Sequence, residues 1–181
     1  MKNASKLLIL GCLVVGLLGC EQRTDKTDGG GVLLSISDFD GLPISVSASG
    51  SGGVAQIEQL TISNIVKDPT GSSSELMNVE LESMEVVYTR ADAGTRTPPT
   101  LVEFIFGVVP AGGTMTIDNM PFMRPDQIEN PPISDLLDFG FDQETGSQVI
   151  RLTVRLRFFG RTLSGKEVES APASFTIDVV P

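Results

Sequence analysis

Residues 148–159 read QVIRLTVRLRFF. They alternate without a slip: Ile150, Leu152, Val154, Leu156 and Phe158 share one parity, and Arg151, Thr153, Arg155 and Arg157 share the other. A period of two is the side-chain period of a β-strand, and a helix cannot satisfy it. The run therefore predicts a strand with one face in a core and the other in water. A slip of one residue would exchange the two faces, so the register is strongly specified.

Shorter runs repeat the pattern from residue 32 onward. Residues 32–39 (VLLSISDF) and 42–49 (LPISVSAS) flank Asp40-Gly41, a strong hairpin signal. Pro43 suits an edge strand or a strand's first residue. Residues 55–66 alternate around Ile57, Leu60, Ile62 and Ile65, with phase slips between Ile57 and Leu60 and between Ile62 and Ile65. Residues 78–90 change phase near Glu82-Ser83, which predicts a β-bulge. Residues 91–99 (ADAGTRTPP) exclude helix and central strand. Residues 101–109 form a strongly apolar strand, residues 114–120 alternate again, and residues 133–139 (ISDLLDF) predict one short helix with Ser134 and Asp135 at its start. Thr162 to Lys166 reads as a hairpin turn before a last strand carrying Phe175, Ile177 and Val179. About eight strands at this spacing, without a long helical period, predict an all-β domain of two packed antiparallel sheets, with a closed barrel as the alternative.

The N-terminus has a different character. Lys2 and Lys6 precede thirteen uncharged residues, 7–19, whose helix would span roughly 20 Å, short of a ~30 Å hydrocarbon core. This reads as a secretory signal peptide. The run ends in Leu17-Leu18-Gly19-Cys20, which resembles the bacterial lipobox. The resemblance implies cleavage between Gly19 and Cys20, a thioether-linked diacylglycerol on the Cys20 sulfur, and acylation of the new amino group. Cys12 also follows a glycine, but only residues 7–11 would then serve as the apolar core. With Cys12 removed and Cys20 lipidated, the mature chain holds no free thiol and no disulfide. Residues 21–31 (EQRTDKTDGGG) contain no apolar side chain and read as a flexible tether. The expected organisation is a signal peptide over 1–19, a lipidated Cys and linker over 20–31, and a β-domain over 32–181. Glu21 follows the lipidated position, and by the enterobacterial sorting rule it favours the outer over the inner membrane.

Composition narrows the chemistry. The chain of 181 residues has no His and no Trp, which removes His-based general bases, the common nucleophile triads and nearly all zinc sites. The net charge is −10, and −12 once Lys2 and Lys6 leave with the signal, which argues against nucleic acid. Glu80, Glu82 and Glu85 crowd one strand, and paired carboxylates serve glycoside hydrolysis, but a solvated acidic face is the simpler reading. Asp38-Phe39-Asp40-Gly41 is a fragment of a calcium-loop pattern without its distal Glu, and it reads as a turn. Asp135 to Asp142 interleaves with Leu136, Leu137, Phe139 and Phe141, as in a buried loop or a short helix with outward Asp rather than a metal site. Arg151, Arg155 and Arg157 are expected to pair across strands with the three glutamates. Ala111-Gly112-Gly113 lacks the Lys and helix of a phosphate-binding loop. No catalytic residue, metal site or cofactor is implied.

Residues 84–92 (MEVVYTRAD), the loop running to Pro99, and the hairpin from Phe158-Phe159-Gly160 to Gly165-Lys166-Glu167 resemble a group of uncharacterised bacterial lipoproteins. That resemblance implies an immunoglobulin-like sandwich behind the lipid anchor, and no catalytic residues. The expectation is a lipid-anchored envelope protein acting as a binding or structural module. It would be held to the membrane by its anchor and engage a protein partner in the envelope. A carboxylate-based hydrolase and a calcium-stabilised adhesion domain are the alternatives.

Overall fold

The computed structural model describes residues 29–40, 42, 45–49 and 54–181. Cys12, Gly19 and Cys20, with the signal and most of the tether, lie outside the described residues, as does Gly41. Among those described, the chain is all-β with nine strands: β1 (Val32–Asp40), β2 (Ser45–Ser47), β3 (Ala55–Val66), β4 (Val79–Arg90), β5 (Leu101–Val109), β6 (Thr114–Met123), β7 (Ile150–Thr162), β8 (Glu167–Glu169) and β9 (Ala173–Val180). Two short helices, Pro125–Ile128 and Ile133–Phe139, sit between β6 and β7. The second was expected from sequence; the first was not.

The strands form two sheets. One has the order β1-β3-β6; the other runs β2-β9-β7-β4-β5, with β8 also on β7. Every pair is antiparallel except β2 with β9. Buried apolar side chains of both sheets belong to one core. The Phe175 ring of β9 meets Phe39 of β1 and Phe122 of β6 edge-on, at 5.8 and 5.2 Å between centroids. Tyr88 Oη on β4 donates to the Phe122 carbonyl on β6. Burial pushes the Tyr88 hydroxyl well above its ordinary range, so it remains a donor.

β7 occupies the centre of the larger sheet, and its register follows the alternation. Ile150, Leu152, Val154, Leu156 and Phe158 are fully buried, and Arg151 and Arg155 reach water. Arg157 is half-buried, because it lies over the Phe159 ring and pairs with Glu85. The bulge at Glu82-Ser83 is present against β7, where β4 carries the extra residue between Leu81 and Ser83. The register also shifts there against β5, where the extra residue lies in β5 between Phe104 and Gly107. Gly160 faces that bulge: a Cβ there would stand 2.2 Å from the Glu80 carbonyl oxygen, so no side chain fits. In β3 the slip between Ile57 and Leu60 is present, but the second is not. Asn64 turns inward and Ile65 is half exposed. The Asn64 amide donates to the Met77 and Val109 carbonyls, an anchoring role that outweighs burial of Ile65.

Among the described residues β1 and β2 do not pair with each other, against the hairpin expected at Asp40-Gly41. β1 pairs with β3, and β2 pairs parallel to β9 in the other sheet. The chain crosses between sheets here because Val46 and Ala48 are buried beside the end of β9, where Ala48 N–H donates to the Val180 carbonyl. At the other end, Gly29–Gly31 forms a 3-10 turn, and the Gly31 carbonyl accepts from Lys67 N–H.

Candidate functional site

β5 is the last strand of the larger sheet, paired with β4 on one side only. Its residues at one parity, Val102, Phe104, Phe106 and Val108, are 63, 83, 86 and 47% exposed. Those at the other parity face inward: Leu101 and Val109 are buried, and Ile105 packs against the core. Gly107 makes room for Met115, whose side chain a Cβ there would strike. Four large apolar side chains in a row are a contiguous apolar patch rather than scattered exposure, and such patches mark interaction surfaces. Beside the stripe, Leu81, Phe104, Phe106 and Val108 line an open groove of about 560 Å³, rimmed by Glu80 and Glu82.

The strand also leaves one row of backbone N–H and C=O groups without a strand partner among the described residues. Native edges are usually blunted by Lys, Pro, a short length, a β-bulge or an inward-pointing charge. β5 is nine residues long with neither Lys nor Pro, and it carries one extra residue against β4 between Phe104 and Gly107. Its one charge, Glu103, is turned inward and held by Arg124.

Next to the stripe the outer face is charged. Glu85 pairs with Arg157 at 2.9 Å, Glu82 stands 3.8 Å from Arg161, and Arg151 forks onto Asp178 with bonds of 2.7 and 2.9 Å. Cross-strand pairing is therefore present, though Arg151 takes an acid of β9 rather than one of the β4 glutamates. Arg155 has no partner among the described residues. Glu80, Glu82 and Glu85 share one strand, and two of them are engaged by arginines. No group of three acidic side chains able to hold a metal ion occurs among the described residues. Asp38 and Asp40 end β1 opposite Thr61 and Gln59.

The Asp-rich stretch 135–142 departs from expectation. Asp135 and Asp142 are buried, whereas Leu137, Phe139 and Phe141 are exposed. Two arginines draw the carboxylates in. Arg90, at the end of β4 with its side chain 3% exposed, forks onto Asp92 and donates through Nη2 to Asp142 at 2.9 Å. Arg96 Nη2 reaches Asp135 at 2.5 Å and Asp142 at 3.2 Å. Glu144 accepts from the backbone N–H groups of Thr95 and Arg96, and Asp92 accepts from Arg151 N–H. This clasp fixes the 91–100 loop and the 140–146 segment to the end of the larger sheet. Gly94 is needed because a Cβ would lie 2.3 Å from the Arg90 guanidinium carbon. Burial alone would raise the Asp142 carboxyl, but hydrogen bonds from Arg90 and Thr145 hold it down to about 2. Every charged group of the clasp is engaged by another, so it braces the fold.

No family model matches the chain, and neither a curated protein nor a solved structure is similar to it.

Proposed function

We propose that this chain is a lipid-anchored cell-envelope protein and that its domain is a β-sandwich of the immunoglobulin-like kind. It acts as a binding or structural module rather than an enzyme, tethered through Cys20 and docking a protein through β5. The observation that carries the docking reading is the exposed stripe Val102, Phe104, Phe106 and Val108 on an edge strand. Burying a large apolar side chain is worth about 1.5–3 kcal/mol, so a partner that covers both phenylalanines gains several kcal/mol before its ordering costs.

The anchor and the docking surface are tested separately. Intact mass of the mature wild type should begin at Cys20 with added lipid mass. The Cys20→Ser variant should show neither cleavage there nor lipid, since serine has no thiol to carry the thioether. A wild-type chain that begins elsewhere and carries no lipid removes the anchor. For the surface, Phe104→Ser with Phe106→Ser should leave the circular-dichroism spectrum unchanged and abolish association in the envelope. Unchanged association removes the docking reading.

A further inference from the structure

The charges beside the stripe are not equivalent. On β4, Glu80 stands opposite Val108 and Glu85 opposite Val102. Glu85 is taken by Arg157 at 2.9 Å. Glu80 has no partner among the described residues, because Arg161, its cross-strand neighbour on β7, leans toward Glu82 at 3.8 Å. The Val108 end of the stripe therefore carries an unmatched acid, and the Val102 end does not. The groove lies at that same end. There β5 sets Ile105 and Phe106 against the single Glu82 of β4, and Gly107 adds no side chain. The sheet surface opens between Phe104, Phe106 and Val108, over the buried Leu81.

Resting on the docking reading above, we propose that the partner of β5 is a protein segment that carries a large apolar side chain beside a lysine or arginine. The apolar side chain enters the groove between Phe104, Phe106 and Val108. The cation pairs with Glu80, with Glu82 next to it on the same rim.

Charge complementarity selects this occupant. Covering the groove withdraws water from Glu80, and a carboxylate that loses water without gaining a partner is destabilised. A segment with only apolar side chains leaves that cost standing, and one with acidic side chains adds repulsion. A cation offsets it, and the net charge of −10 draws a basic segment toward the molecule. The same acidity disfavours an anionic bilayer as the surface that covers the stripe.

Three capped, fluorescein-labelled peptides serve as probes: Lys-Phe-Leu-Lys-Phe-Leu-Lys, the same chain with glutamine in place of lysine, and the same with glutamate. Fluorescence anisotropy against the full chain in a non-ionic detergent reads their affinities. The lysine peptide should bind tightest. Phe106→Ser should weaken it at least about tenfold, the loss expected for one large apolar side chain. Glu80→Gln should weaken it roughly three- to fivefold and leave the glutamine peptide unchanged. Glu58→Gln, the same change of net charge at an exposed position of the smaller sheet, should leave both unchanged. A Glu80→Gln effect no larger than that of Glu58→Gln overturns the proposal, and so does a glutamine or glutamate peptide that binds as tightly as the lysine peptide. If peptide binding ignores Phe106→Ser while Phe104→Ser with Phe106→Ser still abolishes association in the envelope, the basic partner is overturned and the docking reading stands. If neither measurement responds, both readings fail. The other occupants are read in phosphatidylcholine vesicles holding the chain alone. There Val108→Cys should react with a water-soluble maleimide at a rate comparable to that of Thr89→Cys, at an exposed position on the same face of the sheet. Protection of Val108→Cys overturns the proposal: it assigns the stripe to the bilayer, or to a second copy where diluting the chain in lipid removes the protection.

Discussion

Arg90→Met tests the clasp. Methionine keeps most of the buried stem and removes the guanidinium. The variant loses the fork onto Asp92 and the 2.9 Å bond to Asp142, whose side chain is wholly shielded from water. Breaking a buried pair from one side typically costs 3–5 kcal/mol because the remaining charge is stranded. Asp142 keeps the Thr145 hydroxyl, the Glu144 N–H and the more distant Arg96, so the lower end applies, about 3 kcal/mol.

The same residue fixes a pH signature. The Asp142 carboxyl is held at about 2 in the fold against 3.8 for an ordinary Asp. A depressed folded value stabilises the protein above the unfolded value, and that stabilisation disappears as pH falls from about 4 toward 2. At 1.36 kcal/mol per unit, the contribution is about 2 kcal/mol at neutral pH. In the variant this carboxyl loses the Arg90 bond and charge that do most to hold it down, so it takes up a proton at a higher pH than in the wild type and relieves its isolation. The gap between wild type and variant should therefore shrink from about 3 kcal/mol at pH 7 to about 1 near pH 2.5. Urea unfolding followed by far-ultraviolet circular dichroism reads both values; with no Trp and one Tyr, intrinsic fluorescence is a poor probe. A loss under 1 kcal/mol at pH 7, or a gap that does not change with pH, refutes the clasp as a buried charge pair. An Asp142→Asn cycle with Arg90→Met should return a coupling energy that accounts for most of the loss.

Two further outcomes follow from packing. Leu152→Asp or Val154→Asp should leave no folded protein, since each places an unpaired charge in the core. Arg155→Ser, on the opposite face of the same strand, should shift the urea midpoint by less than an equivalent of ~0.5 kcal/mol, and equal tolerance of both would reverse the register. Tyr88→Phe removes the donor to the Phe122 carbonyl between the sheets and should cost about 1–2 kcal/mol in the same unfolding assay, with no change in the circular-dichroism spectrum.

What could be read from sequence was what local periodicity encodes. β7 carries its burial in its parity, and the β4 bulge showed as a change of phase, because both are properties of neighbouring residues. Pairing between distant strands has no such signature. Asp40-Gly41 satisfies the local chemistry of a hairpin, yet the second strand lies in the other sheet, because the place beside β9 that buries Val46 is created by residues more than a hundred positions away. The clasp was hidden for a related reason. Asp135 and Asp142 looked solvent-facing because charge usually is, and only the fold brings Arg90 and Arg96 against them.

β5 shows the same limit where it matters most for function. A continuous apolar run reads as a strand buried on both faces, and periodicity cannot distinguish that from an edge strand with one face uncovered. The chain decides the matter after the strand ends. The turn at Pro110–Gly113, with Gly112 in the left-handed region, carries the next strand onto β3 in the other sheet, so nothing in the described chain covers β5 on its outer side. Two features limit strand addition at this edge: the extra residue of β5 between Phe104 and Gly107 bends it, and Glu103 points inward to Arg124. What the edge leaves uncovered is therefore the side-chain stripe of Phe104 and Phe106 rather than a regular row of backbone groups.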